Sequence, residues 1–217
     1  MSAPDNPSAP DNPNEEPTST EPREDEPLLG RSGDVVQRQD VPIYYNLLTG
    51  AAVVAQAGVW IVQAILVLQP TSTPKHKILG TYIHFFLNVL SILCFIAAFI
   101  VIEINKGDHP RFTSPHGIMG LVTYIFIILQ ALTGIAQFFA PVLVFGSVDN
   151  GKKIYKYHRV FGYVLLVLEL GTVIAATQTS FNLTDLHIPL WSVLVSAILV
   201  LLGVGSRIRK SKFGFGR

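Results

Sequence analysis

Charge is scarce in this chain. Only 14% of its 217 residues are charged, against about a quarter in an ordinary soluble domain. Cysteine is nearly absent: Cys94 is the single one, which excludes a disulfide scaffold. No basic stripe with interleaved aromatics occurs in a soluble-looking segment, which argues against nucleic-acid binding. The first residues lack a basic stretch followed by an apolar core, so no secretory signal peptide is expected there. Apolar residues, by contrast, make up 49% of the chain, and the mean hydropathy is +0.43. Together these figures point to a membrane protein.

The formal net charge of +1 hides a division. Residues 1–40 hold ten acids and three bases, net −7, and the remaining 177 residues hold five acids and thirteen bases, net +8. A pI near 7.9 therefore says nothing about partners. Eight of the fourteen prolines precede Ile43, and the hexapeptide at 2–7 is repeated at 8–13. Such a segment buries too little apolar surface to offset its ordering entropy, so residues 1–41 are expected to form a disordered, acidic spacer. Within it, Glu24-Asp25-Glu26-Pro27-Leu28-Leu29 places an acid four residues ahead of a Leu-Leu pair. That pattern matches the acidic dileucine signal read by clathrin adaptors on endolysosomal or vacuolar cargo, and it requires a cytosolic tail. The pattern is short and also arises by chance; the plasma membrane is the alternative destination.

From residue 43 the chain becomes a series of apolar runs near the ~20 residues that cross a bilayer. Five are read, at about 45–69, 78–103, 117–141, 158–179 and 188–206. Runs this long and continuous are helices, because backbone groups in lipid must be satisfied within the segment. The expected architecture is an all-α polytopic transmembrane bundle over 42–212, followed by a short basic end at 213–217. Lys75, Lys77, Lys152, Lys153, Lys156, Arg159 and five C-terminal bases fall on one side. The positive-inside rule makes that side cytosolic. Five spans then put the N-terminus on the opposite side, in conflict with the sorting signal.

Three of the six histidines lie within the first turns of a span. His84 and His158 enter from the expected cytosolic side, and His116 from the other. Intramembrane ionisable groups are expensive and normally face the bundle interior. A histidine pair at equal depth on neighbouring helices suits an axially ligated haem, in which two imidazoles leave no open iron position. His76, in a Lys-His-Lys loop, is read as solvated. His109 and His187 are read as interfacial.

Several runs resemble the eukaryotic cytochrome b561 family. Residues 109–121, HPRFTSPHGIMGL, with Gln130-Ala-Leu-Thr-Gly134 beyond them, are similar to that family's third core helix. Residues 155–163, YKYHRVFGY, resemble the fourth core helix, and residues 80–88, GTYIHFFLN, resemble the second. The similarity covers roughly 60–212 and is nearest to small fungal members without an attached catechol-binding-type domain. By that resemblance His84 and His158 ligate one haem b and His116 belongs to a second. The first core helix should supply the partner of His116, and it has no such histidine here. Span one looks like a hybrid of two helices, with about one helix of sequence missing around Gln56–Trp60; a skipped exon or imperfect gene model would explain it. His187 or His109 would be the substitute ligands.

The resemblance implies transmembrane electron transfer, from a cytosolic enediol such as ascorbate to a ferric chelate or an ascorbate radical. Lys77, Lys152, Lys153, Lys156 and Arg159 would attract an anionic donor, although the positive-inside rule accounts for them as well. A transporter would show broken helices and several mid-membrane polar groups, of which only Gln130, Gln137 and Glu169 qualify. A non-redox scaffold that has lost one haem or both is the other alternative. Glu169 is expected to be a protonated, hydrogen-bonded residue. Gly117, Gly120, Gly134, Gly162 and Gly171 would let helices or a porphyrin approach closely. The sequon at Asn182 is expected to be unused, and homodimer formation is left open.

Overall fold

The computed structural model describes residues 43–106 and 110–208, with side chains from Leu48 onward. The acidic tail with Leu28 and Leu29, His109 and the basic end beyond Ile208 lie outside the described residues. Six α-helices follow in order: α1 Ile43–Val67, α2 Pro74–Lys106, α3 Pro115–Phe139, α4 Pro141–Phe145, α5 Val148–Ala176 and α6 Leu190–Arg207. Among the described residues there is no strand. All but the five-residue α4 are long and apolar enough to cross a membrane.

Local sequence sets the boundaries. Ser114 caps α3, its hydroxyl accepting from Gly117 N at 3.1 Å, and Pro115 occupies the first turn, where its missing N–H costs nothing. Ser147 caps α5 in the same way through Asn150 N. Gly146 closes α4 with φ of 76°, a left-handed conformation that glycine adopts without a Cβ penalty. This cap moves the start of the fourth span. The apolar run begins at 158, but α5 begins at Val148, because a helix with a good cap continues outside the membrane. Lys152, Lys153 and Lys156 therefore lie on the first turns of α5 rather than in a loop.

The bundle carries its polar groups inward and its apolar groups outward. Ser91, Thr123, Gln137, Glu169 and Thr172 are buried, whereas Phe86, Leu143, Leu199 and Trp191 are exposed. In water that arrangement would be untenable; in lipid it is the stable one. α1 packs along α2, and α3 along α5. Small residues let the first pair approach closely: Ala57, Ala64 and Ala98 are fully buried, and the Ser91 hydroxyl donates to Ala57 O at 2.9 Å. Ile61, Phe95, Ile127, Leu165, Leu166 and Val204 form the apolar core. Tyr124 on α3 ties the two pairs together by donating to Phe95 O at 2.8 Å. α1 runs unbroken through Gln56–Trp60.

Candidate functional site

The lysine-bearing ends of α2 and α5 bring two imidazoles together. The rings of His84 and His158 lie 6.4 Å apart between centroids, at 80° to each other. One metal bonded to a nitrogen of each ring, with metal–imidazole bonds of about 2 Å, requires centroids about 6 Å apart. α2 and α5 do not pack along each other; each lies against a different partner helix.

The two rings are held in different ways. His84 Nδ1 is 2.8 Å from Ala64 O on α1. A carbonyl only accepts, so the ring proton sits on Nδ1 and Nε2 keeps its lone pair. The Asn88 amide lies 3.4 Å from both ring nitrogens and donates to His84 O at 2.7 Å, so it selects neither nitrogen. His158 is held by α3. Gln130 Nε2 donates to His158 O at 2.7 Å, and a Cβ at Gly134 would come within 3.0 Å of His158 Cε1. A Cβ at Gly162 would meet Gln130 Nε2 at 3.0 Å, so this glycine makes room for the amide. His158 Nδ1 is buried without a hydrogen-bond partner. A buried polar atom of that kind costs about 1–3 kcal/mol unless something binds the ring. Tyr82 and Phe85, which flank the His84 position on α2, stack edge to face with Phe138 and Phe139 of α3.

The other histidines are placed apart. His116, on the first turn of α3, has Nδ1 at 2.9 Å from Thr172 O. Neither histidine, cysteine nor methionine occurs in α1, so α1 offers His116 no partner ligand. His187 is exposed in the α5–α6 connection, with φ of 53° and Nδ1 3.2 Å from Asp185 O. His76 is exposed. Among the described residues no group of three or more His, Cys, Asp or Glu gathers to hold a bare ion. The histidine pair is thus a two-ligand site, which suits a metal whose other positions a macrocycle fills.

Around this site the lysines are exposed. Lys77 is exposed on the first turns of α2. Lys152 pairs with Asp149 at 2.9 Å, Lys153 donates to Asn150 Oδ1 at 3.0 Å, and Lys156 sits 4.8 Å from the Tyr157 ring centroid. Arg159 is half-buried one residue after His158. At the opposite end, Asn182 is buried, and its amide donates to Thr177 O and Ile188 O at 2.8 and 3.0 Å. That engagement removes the sequon nitrogen from solvent.

The sequence marks His84, His116 and His158 by their place near the ends of apolar runs, and Gln130 and Gly134 as parts of a motif, but not that both touch His158. Nothing in the sequence marks Ala64, because a backbone carbonyl has no sequence signature.

The family model for eukaryotic cytochrome b561 matches residues 50–183, from α1 into the last connection. No curated protein and no solved structure matches the chain. The chain belongs to the eukaryotic cytochrome b561 family, whose members carry electrons across membranes through b-type haem.

Proposed function

We propose that this chain holds one haem b between His84 and His158 and uses it in an ascorbate-type or ferric-reductase electron transfer. The 6.4 Å separation of the two rings carries the proposal. His84 and His158 would hold the haem, which would supply a one-electron ferric–ferrous couple; with both imidazoles as ligands the iron would be an electron carrier rather than an oxygen binder. The chain's own residues position those imidazoles. Ala64 O keeps the His84 proton on Nδ1, which leaves Nε2 as the nitrogen that would hold the metal. Gln130 anchors the backbone of His158, and Gly134 leaves its ring the space to lie close to α3. Lys77, Lys152, Lys153, Lys156 and Arg159 raise the local concentration of an anionic enediol donor through their summed field. Reduction by ascorbate should then slow as ionic strength rises.

His116 lacks a partner ligand on α1, so the reading is one haem per chain. Purified protein tests it directly. The expected spectrum is that of a six-coordinate b-type haem, lost in His84→Ala and in His158→Ala and retained in His116→Ala. A haem-to-protein ratio of two would overturn the single-site reading. A colourless preparation would instead favour a non-redox scaffold, the second reading, which the orphaned His116 supports. Leu28 and Leu29 can address the chain to an endolysosomal or vacuolar membrane only from a cytosolic tail, which five spans with a cytosolic lysine-bearing side do not provide; an unchanged destination after replacing both with alanine removes that idea.

A further inference from the structure

Glu169 is a carboxyl that the histidine pair does not use. It is 9% exposed and lies eleven residues beyond His158 on α5, about 16 Å further along the helix at 1.5 Å per residue. Among the described residues it makes no hydrogen bond or ion pair, contrary to the hydrogen-bonded role expected from sequence. A permanently ionised carboxylate would be costly at that depth without a positive charge to answer it.

Polar groups continue from its level toward the end of the bundle remote from the lysines. One turn beyond Glu169, Thr172 Oγ1 lies 3.0 Å from Thr123 Oγ1 on α3, and both threonines are buried. Each hydroxyl also lies 2.8 Å from a carbonyl on its own helix, Leu168 O or Met119 O. Each hydroxyl thus has one proton and two acceptors within reach, so it can reorient without breaking the contact between helices. Thr172 O in turn meets the ring of His116, half-buried on the first turn of α3. The surrounding core is apolar: Ala57, Ile61, Ile127, Leu165, Leu166 and Val204.

We propose that Glu169 is a redox-linked proton site, exchanging its proton through the Thr172–Thr123 pair with water at the end of the bundle remote from the lysines. The inference rests on the haem reading above. Glu169 gains one proton, carboxylate to acid, as the site between His84 and His158 gains one electron, ferric to ferrous. An enediol reductant supplies the electron and is left as its one-electron-oxidised radical; water supplies the proton. Removing the positive charge of the ferric site is what makes the neutral acid preferable. Few other groups compete for this role. α3 presents His116 and Tyr124, the latter committed to Phe95 O. α6 has only Arg207, in its last turn. α4 has no titratable residue, and neither has α1 from Leu48 onward. α2 meets α5 through His84 and adds Cys94, a half-buried thiol packed against the same core; α5 itself adds Tyr163 and, on its first turns, Asp149, Tyr155, Tyr157 and the bases.

The test is the midpoint potential of the full-length haem protein in lipid nanodiscs, followed with pH over the range in which the six-coordinate spectrum holds. The wild-type potential should fall as pH rises, by up to about 59 mV per tenfold change in proton activity for complete one-to-one coupling. Glu169→Gln should flatten that slope, and Glu169→Asp should keep most of it. Thr172→Val should preserve the slope and slow the relaxation of the potential after a pH jump by about tenfold. A flat wild-type slope with the haem spectrum intact, or an equal slope in Glu169→Gln, overturns the inference and leaves the haem reading standing. An unchanged relaxation in Thr172→Val removes the threonines from the route. Protein that binds no haem overturns both.

Discussion

His158 is gripped by α3 at two points, and these respond differently to substitution. Gly134 faces the imidazole: a Cβ there lies 3.0 Å from Cε1, and a ring cannot bend away. Overpacking of this kind typically costs about 1–3 kcal/mol, which is roughly 5- to 150-fold in haem affinity. Gly134→Ala should therefore lower the haem-to-protein absorbance ratio of purified protein. Gly162→Ala meets only the end of Gln130 at 3.0 Å. That amide can rotate, so most of the haem should be retained; a loss equal to that of Gly134→Ala would contradict the geometry. The histidines themselves were legible in the sequence, since ionisable residues near the ends of apolar runs stand out. Their orienting partners were not. Ala64 acts through its carbonyl, and nothing in its side chain marks it.

The most extensive seam among the described elements is that of α1 and α2, where alanines and one serine are buried between the helices. Ser91 is 1% exposed and bonds across to Ala57 O. Interhelical hydrogen bonds of this type in membranes average about 0.6 kcal/mol. Ser91→Ala should therefore lower thermal stability in detergent only slightly, whereas Ser91→Leu, which has no room, should abolish folding. The connection between α5 and α6 depends instead on polar contacts. Asn182 bonds Thr177 O and Ile188 O and accepts from Ile188 N. Asn182→Ala leaves the buried Thr177 O unpaired, at about 1–3 kcal/mol, and frees the part-buried Ile188 backbone, and it should expose the loop to limited proteolysis without altering the haem spectrum. Wild-type protein should show no glycan-dependent mobility shift. Span positions were readable from hydropathy, but the start of α5 was not: its first ten residues carry Asp149, Asn150 and three lysines, and Ser147 with Asp149 extends the helix where composition suggests a loop.

For the whole molecule, five spans place the connection after α1 and the connection after α5 at opposite ends. In a Cys94→Ala background, Thr73→Cys and Thr184→Cys should react with a membrane-impermeant thiol reagent from opposite sides. Both residues are exposed. Labelling of both from one side would exclude an odd span count. The basic residues at the α1–α2, α3–α5 and C-terminal ends make the Thr73 side cytosolic under the positive-inside rule.

The sequence by itself determined that this chain is a helical membrane protein of five apolar spans with histidines near their ends. Length and hydropathy are properties of contiguous residues, and lipid permits few structures that satisfy a backbone. It also supported membership of the cytochrome b561 family, because three histidine-bearing runs occur in order. Only the tertiary structure decided which histidines meet. His84 and His158 are 74 positions apart, and their rings come together because α1 orients one and α3 the other. The same packing leaves Glu169 buried without a partner, a property of how the helices meet that no local pattern encodes.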